Sequence, residues 1–397
     1  MTDAAAARPP VIPPSGILIG LVVSGFLVAL PGGLLPLWGY HIDSDYGTAA
    51  NYFLALGAGM TAGSALALRL RARFPPERLL SGGCFASALA LLLLSVAAPP
   101  AGFWYQSLAL LLAGLAAGAV NSPVFELIAP AWEANPAGVT LRGGIFFGVG
   151  SILAAWLLSQ CLDAASPARL LALTALVPGV AGVAFGRIPV SPAVPARLPA
   201  KLTTAEAVKD LRSVLAILFA LLLFFQFANE WSIAGWLPVF LIDRLGLSPS
   251  AAVMLLALYW LALTVGRGVT ARLLPLVRHG KLLGIAAFCA LFGCTALLVA
   301  GTRFGIVVGI LATGAGFSAI YPLAAERIAT RFSYYHPGYF NGIFTFAMLG
   351  GMLAPFGLGH LAPFWGLEVV PLAAMLGSCA VFGLVLLIFL GRKVSGS

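Results

Sequence analysis

Twelve separate apolar stretches of about 20 residues run through this chain. Each is long enough to cross the roughly 30 Å hydrocarbon core of a bilayer as one helix. They lie at about residues 17–38, 49–69, 79–98, 103–129, 141–162, 168–186, 213–240, 249–272, 281–300, 303–326, 339–362 and 369–391. In lipid every backbone N–H and C=O must find its partner inside the protein, so runs of this length fold as helices. Outer-membrane strands read instead as alternating segments of about ten residues, which excludes a β-barrel. The expected fold is an all-α polytopic membrane protein.

Only 22 Lys and Arg and 13 Asp and Glu are spread over 397 residues, which is 9% charged, where soluble domains carry about 25%. With 61% of the chain hydrophobic, a cytosolic enzyme, a disordered chain and a nucleic-acid partner are all excluded. The net charge of +9 comes from basic residues set between apolar stretches, where they anchor membrane loops. With the N-terminus inside, 19 of the 22 basic residues fall on the cytoplasmic side, leaving Arg169, Arg244 and Arg303 outside. The expected placement is the plasma (inner) membrane, multi-pass, with both termini cytoplasmic. Residues 1–16 lack the basic start of a cleavable signal peptide, so the first span is expected to stay. The odd count of five Cys gives neither a disulfide framework nor a metal spacing.

The longest polar segment, about 187–212, opens with Pro189, Pro192, Pro195 and Pro199, spacing that favours an extended linker. It closes on Thr203 and Glu206 at capping-box spacing. The expected organisation is a six-helix bundle over 1–190, a cytoplasmic linker over 191–212 and a second six-helix bundle over 213–397. The halves repeat one another. Gly63, Arg69, Leu79, Leu80 and Phe85 recur 203 residues later as Gly266, Arg272, Leu282, Leu283 and Phe288, and Gly144-Ile145-Phe146 recurs as Gly342-Ile343-Phe344. Duplicated halves around a midplane site are common among secondary transporters.

With this layout the chain resembles the major facilitator superfamily over essentially its whole length. The stretch Gly63 to Pro75 stands where that family carries its loop signature between spans two and three. Arg69, Arg71 and Arg73 keep the basic character, while Ala72 replaces the usual acid and Pro75 the usual Gly. Within the family several stretches are similar to the fucose/sugar–proton symporter branch. These are Asn229-Glu230-Trp231 leading to Gly235-Trp236-Leu237-Pro238, Trp260 with Gly266-Arg267, Gly314 to Pro322, and Asn341-Gly342 through Gly350-Gly351 to Pro355. The resemblance implies twelve transmembrane helices in two pseudo-symmetric six-helix bundles. In that architecture every third helix lies outside the central cavity. Spans three, six, nine and twelve fit, because 79–98, 170–186, 282–300 and 370–390 contain no Asp, Glu, Lys, Arg, His, Asn or Gln.

Ionisable groups inside hydrocarbon are costly and default to a functional reading. Glu230 lies near the middle of the seventh span, with Gln226 and Asn229 at helical spacing beside it and Ile233, Trp236 and Leu237 continuing the stripe. This is the expected solute face, and its alternative is a hydrogen-bond clamp between packed helices. Asn121, Tyr259, Tyr321 and Asn341 complete the substrate-binding set, and Trp236 or Tyr339 would stack on a sugar face. Glu230 is the first candidate for proton coupling. Glu126 is the second, with a salt bridge to Arg142, Arg71 or Arg73 as its alternative role. Arg267, Arg142, Arg71 and Arg73 are the gating candidates, with a gate-side ion pair to Glu326 or another loop carboxylate as the alternative role of Arg267 near the inner end of its helix. Asp43 and Asp45 read as solvated loop charges, and Trp38, Trp104, Tyr105 and Trp132 as interface anchors.

No catalytic set is apparent. The four His fall near loops or span ends, no His-x-x-x-His pair occurs, and no phosphate loop is present. Rings of like charge that would mark a channel are also missing. The expectation is a secondary active transporter, with no enzyme activity, no cofactor and no metal. It would move a small polar solute, sugar- or polyol-like, by alternating access with proton symport, sodium being the other candidate ion. The alternative is a proton-antiport efflux pump for drugs or metabolites. The expected partners are the solute, the proton and the lipid bilayer, with no nucleic acid, and the chain is expected to be a monomer.

Overall fold

The computed structural model describes residues 15–97, 99, 101–164, 166–188, 213–332 and 342–394. The expected linker 191–212, its Thr203–Glu206 cap, Tyr339 and Asn341 lie outside the described residues. Those described form fourteen helices and no strand. They are α1 (Ser15–Leu37), α2 (Tyr40–Asp43), α3 (Tyr46–Leu70), α4 (Pro76–Ser95), α5 (Phe103–Ala134), α6 (Pro136–Leu162), α7 (Pro167–Thr174), α8 (Leu176–Gly186), α9 (Val214–Leu245), α10 (Pro249–Leu273), α11 (His279–Val299), α12 (Arg303–Arg331), α13 (Gly342–Trp365) and α14 (Val369–Val394). Among the described residues twelve spans are long and apolar enough to cross a membrane, α7 and α8 together making the sixth.

Short polar residues set the helix ends. The Asp45 carboxylate accepts from Thr48 N at 3.1 Å to start α3, and Asn135 accepts from Gly138 N at 2.9 Å to start α6. Ser248 and Thr302 do the same for α10 and α12, through Ala251 N at 3.3 Å and Gly305 N at 3.2 Å. Pro136 and Pro249 occupy the first turns of α6 and α10, where the missing N–H would have had no partner. Gly246, at φ 59°, ends α9 in the left-handed conformation that a side chain would resist. The sixth span breaks at Ala175, four residues after Leu171 and three before Pro178. Pro178 lacks the N–H that would bond Thr174 O, and its ring crowds that carbonyl.

Helix pairing repeats along the chain. In the first six spans α1 packs on α6, α3 on α5, and α4 on both α5 and α8. Six spans later α9 packs on α13, α10 on α12, and α11 on both α12 and α14. The two sets meet symmetrically, α6 against α10 and α3 against α13. The α3–α5 seam is built on four glycines. A Cβ on Gly59 or Gly63 would lie 2.0 Å from Leu111 O or Leu115 O, and one on Gly114 or Gly118 would lie 2.0 or 2.1 Å from Leu56 O or Met60 O. Two small-x-x-x-small faces thus interlock, the usual device where lipid provides no hydrophobic drive between helices.

Candidate functional site

A cavity of about 780 Å³, counted with the space that opens from it, lies where the two sets of six spans face each other. Residues of every span except the third, sixth, ninth and twelfth line it. Its polar wall is Asn121, Thr140, Glu230, Arg267 and Tyr321, and its aromatic wall is Phe125, Phe147, Phe227, Trp231 and Phe344.

Glu230 enters this cavity from the middle of α9 and is 8% exposed. Its Oε2 accepts a hydrogen bond from Gln226 Nε2, one turn earlier, at 3.3 Å. Its Oε1 is 3.6 Å from Arg267 Nη2 of α10. The same guanidinium donates through Nη1 to Gly144 O of α6 at 2.7 Å, which joins the second set of spans to the first. A Cβ on Gly144 would come within 2.7 Å of Arg267 Cδ, so a glycine here gives the guanidinium its place. Two unlike charges this close and this buried hold each other firmly, and removing one partner strands the other.

Arg267 therefore departs from its expected place. It does not pair with Glu326, whose Oε2 lies 2.7 Å from His279 Nδ1. Arg267 stands six residues before the end of α10, about 9 Å inside the helix at 1.5 Å per residue, and its long side chain reaches the cavity. The expected stripe on α9 also divides. Asn229 turns away and donates to Ser378 Oγ of α14 at 3.3 Å, with Gly377 leaving room for its amide. It is a clamp between helices. Gln226 is fully buried behind Glu230, and among the described residues its Oε1 has no hydrogen-bond partner. Tyr259 is fully buried between α9 and α10, donating to Glu230 O at 3.4 Å.

Trp236 has no free face for a sugar. It is completely buried, donates from Nε1 to Pro355 O at 2.9 Å, and packs on Tyr46 and Phe53. It belongs to a seal between the two sets of spans, on the side of the cavity toward the end of α1. There a Cβ on Gly32 would lie 2.2 Å from Ala234 O, one on Gly235 2.3 Å from Phe53, and one on Gly57 2.1 Å from Met352. Ser159 Oγ donates to Ser250 O at 3.0 Å along the same side.

Asn121 and Tyr321 line the cavity. Glu126 is half-buried just beyond Phe125, within electrostatic reach of Arg71 and Glu77. Arg73 and Arg142 are exposed, Arg142 beside a groove that also takes in Asn135 and His279. Glu126, Arg71, Arg73 and Arg142 do not join Glu230 and Arg267 in the central cavity wall. Of the expected interface anchors, Trp104 is 83% exposed and Tyr105 39% exposed, whereas Trp38 and Trp132 are buried. Trp38 stacks edge-on against Tyr52, and Trp132 Nε1 donates to Thr140 Oγ1 at 3.2 Å. The aromatic wall carried no signal of its own, because Phe occurs 26 times along the chain.

By sequence the chain matches no curated protein. Solved structures share its fold. A variant of the E. coli fucose:proton symporter FucP aligns with a TM-score of 0.64 at 17% identity, over 96% of this chain and 99% of that one. A variant of the nucleoside transporter NupG aligns with a TM-score of 0.70 at 14% identity, over 94% of this chain and 100% of that one. Twelve spans, a cavity between repeated halves and a match to the family model over residues 17–355 agree, and the chain belongs to the Major Facilitator Superfamily.

Proposed function

We propose that this transporter carries a small polar solute, sugar- or polyol-like, together with a proton by alternating access. One observation carries the reading: Glu230, the carboxylate of the cavity wall, faces Arg267, which in turn holds Gly144 O across the two sets of spans. A proton on Glu230 cancels the charge that balances Arg267. The guanidinium then attracts lone pairs of an arriving solute, and Asn121 and Tyr321 supply further hydrogen bonds. Binding of proton and solute favour each other, and by linkage the coupling is reciprocal. Loss of both resets the Glu230–Arg267 pair and its hold on α6.

The fucose:proton symporter and the nucleoside transporter among the structural neighbours support a hydroxylated solute. In this reading 1–190 and 213–397 are the moving halves of a monomer, 191–212 joins them, and both termini face the cytoplasm of the inner membrane. The aromatic wall favours a second reading, antiport efflux of a drug or metabolite with apolar parts. Proteoliposomes containing a trapped pH dye and challenged with sugars, polyols and nucleosides separate the two. In symport a solute gradient moves protons in its own direction, and in antiport against it. Glu230→Gln should abolish the proton signal while solute exchange persists. A Glu230→Gln protein that still moves protons with solute would remove Glu230 from the mechanism.

A further inference from the structure

Away from the solute cavity, a groove of about 1250 Å³, counted with the space it opens to, runs between α11, α12 and α14 at the end where α11 begins and the other two finish. Arg278, Lys281 and Arg327 surround its outer end, and Ile285, Leu386 and Phe389 form its walls. Gly280 and Gly284, one turn apart, lie along the α11 side. A Cβ at Gly280 would sit 2.7 Å from Arg327 Nη2, so this glycine lets the guanidinium lie against α11. The Arg327 Cζ also lies 5.0 Å from the centre of the Phe389 ring, which fixes the cation above an aromatic wall.

Below the cations the walls join a lipid-facing band. Ile285 and Leu386 are 54% and 45% exposed, and Phe288, Phe292 and Leu387 continue the exposed apolar surface. Helices α11 and α14 contain no Asp or Glu, and α12 contains only Glu326, which pairs with His279. Three cations at the helix ends, set over hydrocarbon-facing walls, match an amphiphile with a negative head and an apolar tail.

We propose that this groove binds one anionic phospholipid, its phosphate seated among Arg278, Lys281 and Arg327 and an acyl chain laid along Ile285, Leu386 and Phe389. A zwitterionic lipid offers the same phosphate but brings its own cation into a site already rich in them. A free phosphate offers the charge without the tail. The site is separate from the solute cavity and stands whatever the transported solute is.

The test is a thermal-stability titration of the purified full-length protein with dioctanoyl phosphatidylglycerol. Dioctanoyl phosphatidylcholine and inorganic phosphate serve as the comparison arms. Phosphatidylglycerol should raise the melting temperature saturably, and neither comparison arm should do so. The double variant Arg278→Gln/Lys281→Gln, at two exposed positions, should fold and raise the midpoint concentration about twenty-five-fold, at roughly fivefold per cation. Arg303→Gln at the far end of α12 should titrate like the parent. Equal stabilisation by phosphatidylcholine, full stabilisation by phosphate alone, or a double variant indistinguishable from the parent would each overturn the proposal.

Discussion

Glu230 and Arg267 are each tolerable in the membrane because of the other. Arg267→Met leaves an ionised or unpaired carboxyl at a position 8% exposed, and breaking such a pair costs about 3–5 kcal/mol. The expected outcome is a marked loss of melting temperature that Glu230→Gln, added in the double variant, largely restores. A double variant no more stable than Arg267→Met would show that the two side chains do not act as a pair. Asn229 behaves differently although it is the adjacent residue. Asn229→Ala removes this clamp while Ser378 Oγ keeps its bond to Cys294 Sγ, so stability should fall by about 0.5–1.5 kcal/mol with solute affinity unchanged in a binding titration. A selective loss of affinity would return Asn229 to the solute site.

At the level of helices, contact distance matters more than composition. The α3–α5 seam depends on four glycines whose missing side chains let backbones touch. Gly114→Val must displace the Leu56 carbonyl, and overpacking of this kind costs about 1–3 kcal/mol or more. The expected result is a lower yield of folded protein by size-exclusion chromatography, whereas Gly268→Val, where a Cβ meets nothing within 4 Å, should be tolerated. At the far end of α3 a buried polar chain ties the α1–α3 turn to α5. The Tyr40 hydroxyl meets the Tyr52 hydroxyl at 2.6 Å, Tyr52 donates to Gln106 Oε1, and Gln106 Nε2 donates to Ala97 O at 3.0 Å. Burial pushes the Tyr40 phenol above its ordinary range, more than the bond to Tyr52 lowers it. Its proton is therefore present throughout the physiological range, and this tie does not loosen with pH.

For the whole molecule the decisive feature is asymmetry: among the described residues the halves touch backbone to backbone on one side of the cavity and leave space on the other. Asn121→Cys, placed in a background lacking the five native cysteines, should react with a membrane-impermeant thiol reagent supplied from the cytoplasmic side. Ala234→Cys, under the Gly32 seal, should not. Gly32→Val should wedge that seal apart and shift labelling toward position 234. Unchanged labelling in the Gly32→Val background would mean that this contact does not hold the halves closed. The orientation itself is tested by reporter fusions after Arg78, Lys201 and Ser397, all expected to report cytoplasm.

The outer position of spans three, six, nine and twelve was implied by the family resemblance, while the count of spans and the helical class were legible in the sequence. They follow from length and polarity, which a bilayer reads almost directly. Glu230 was legible for the same reason, since a carboxylate at that depth is too costly to stand without a polar partner or a cavity. What only the tertiary structure decided was which neighbour each side chain of α9 meets. Successive residues of a helix point about 100° apart, so Glu230 faces the cavity while Asn229 faces α14. A linear pattern groups the two, and only the placement of a second helix separates them. Arg267 was decided in the same way. Its number in the chain put it near a helix end, but its reach and the absence of a side chain on Gly144 carried its charge into the cavity. Trp236 has the right chemistry for a sugar, yet packing of α3 and α13 around it left no face to offer.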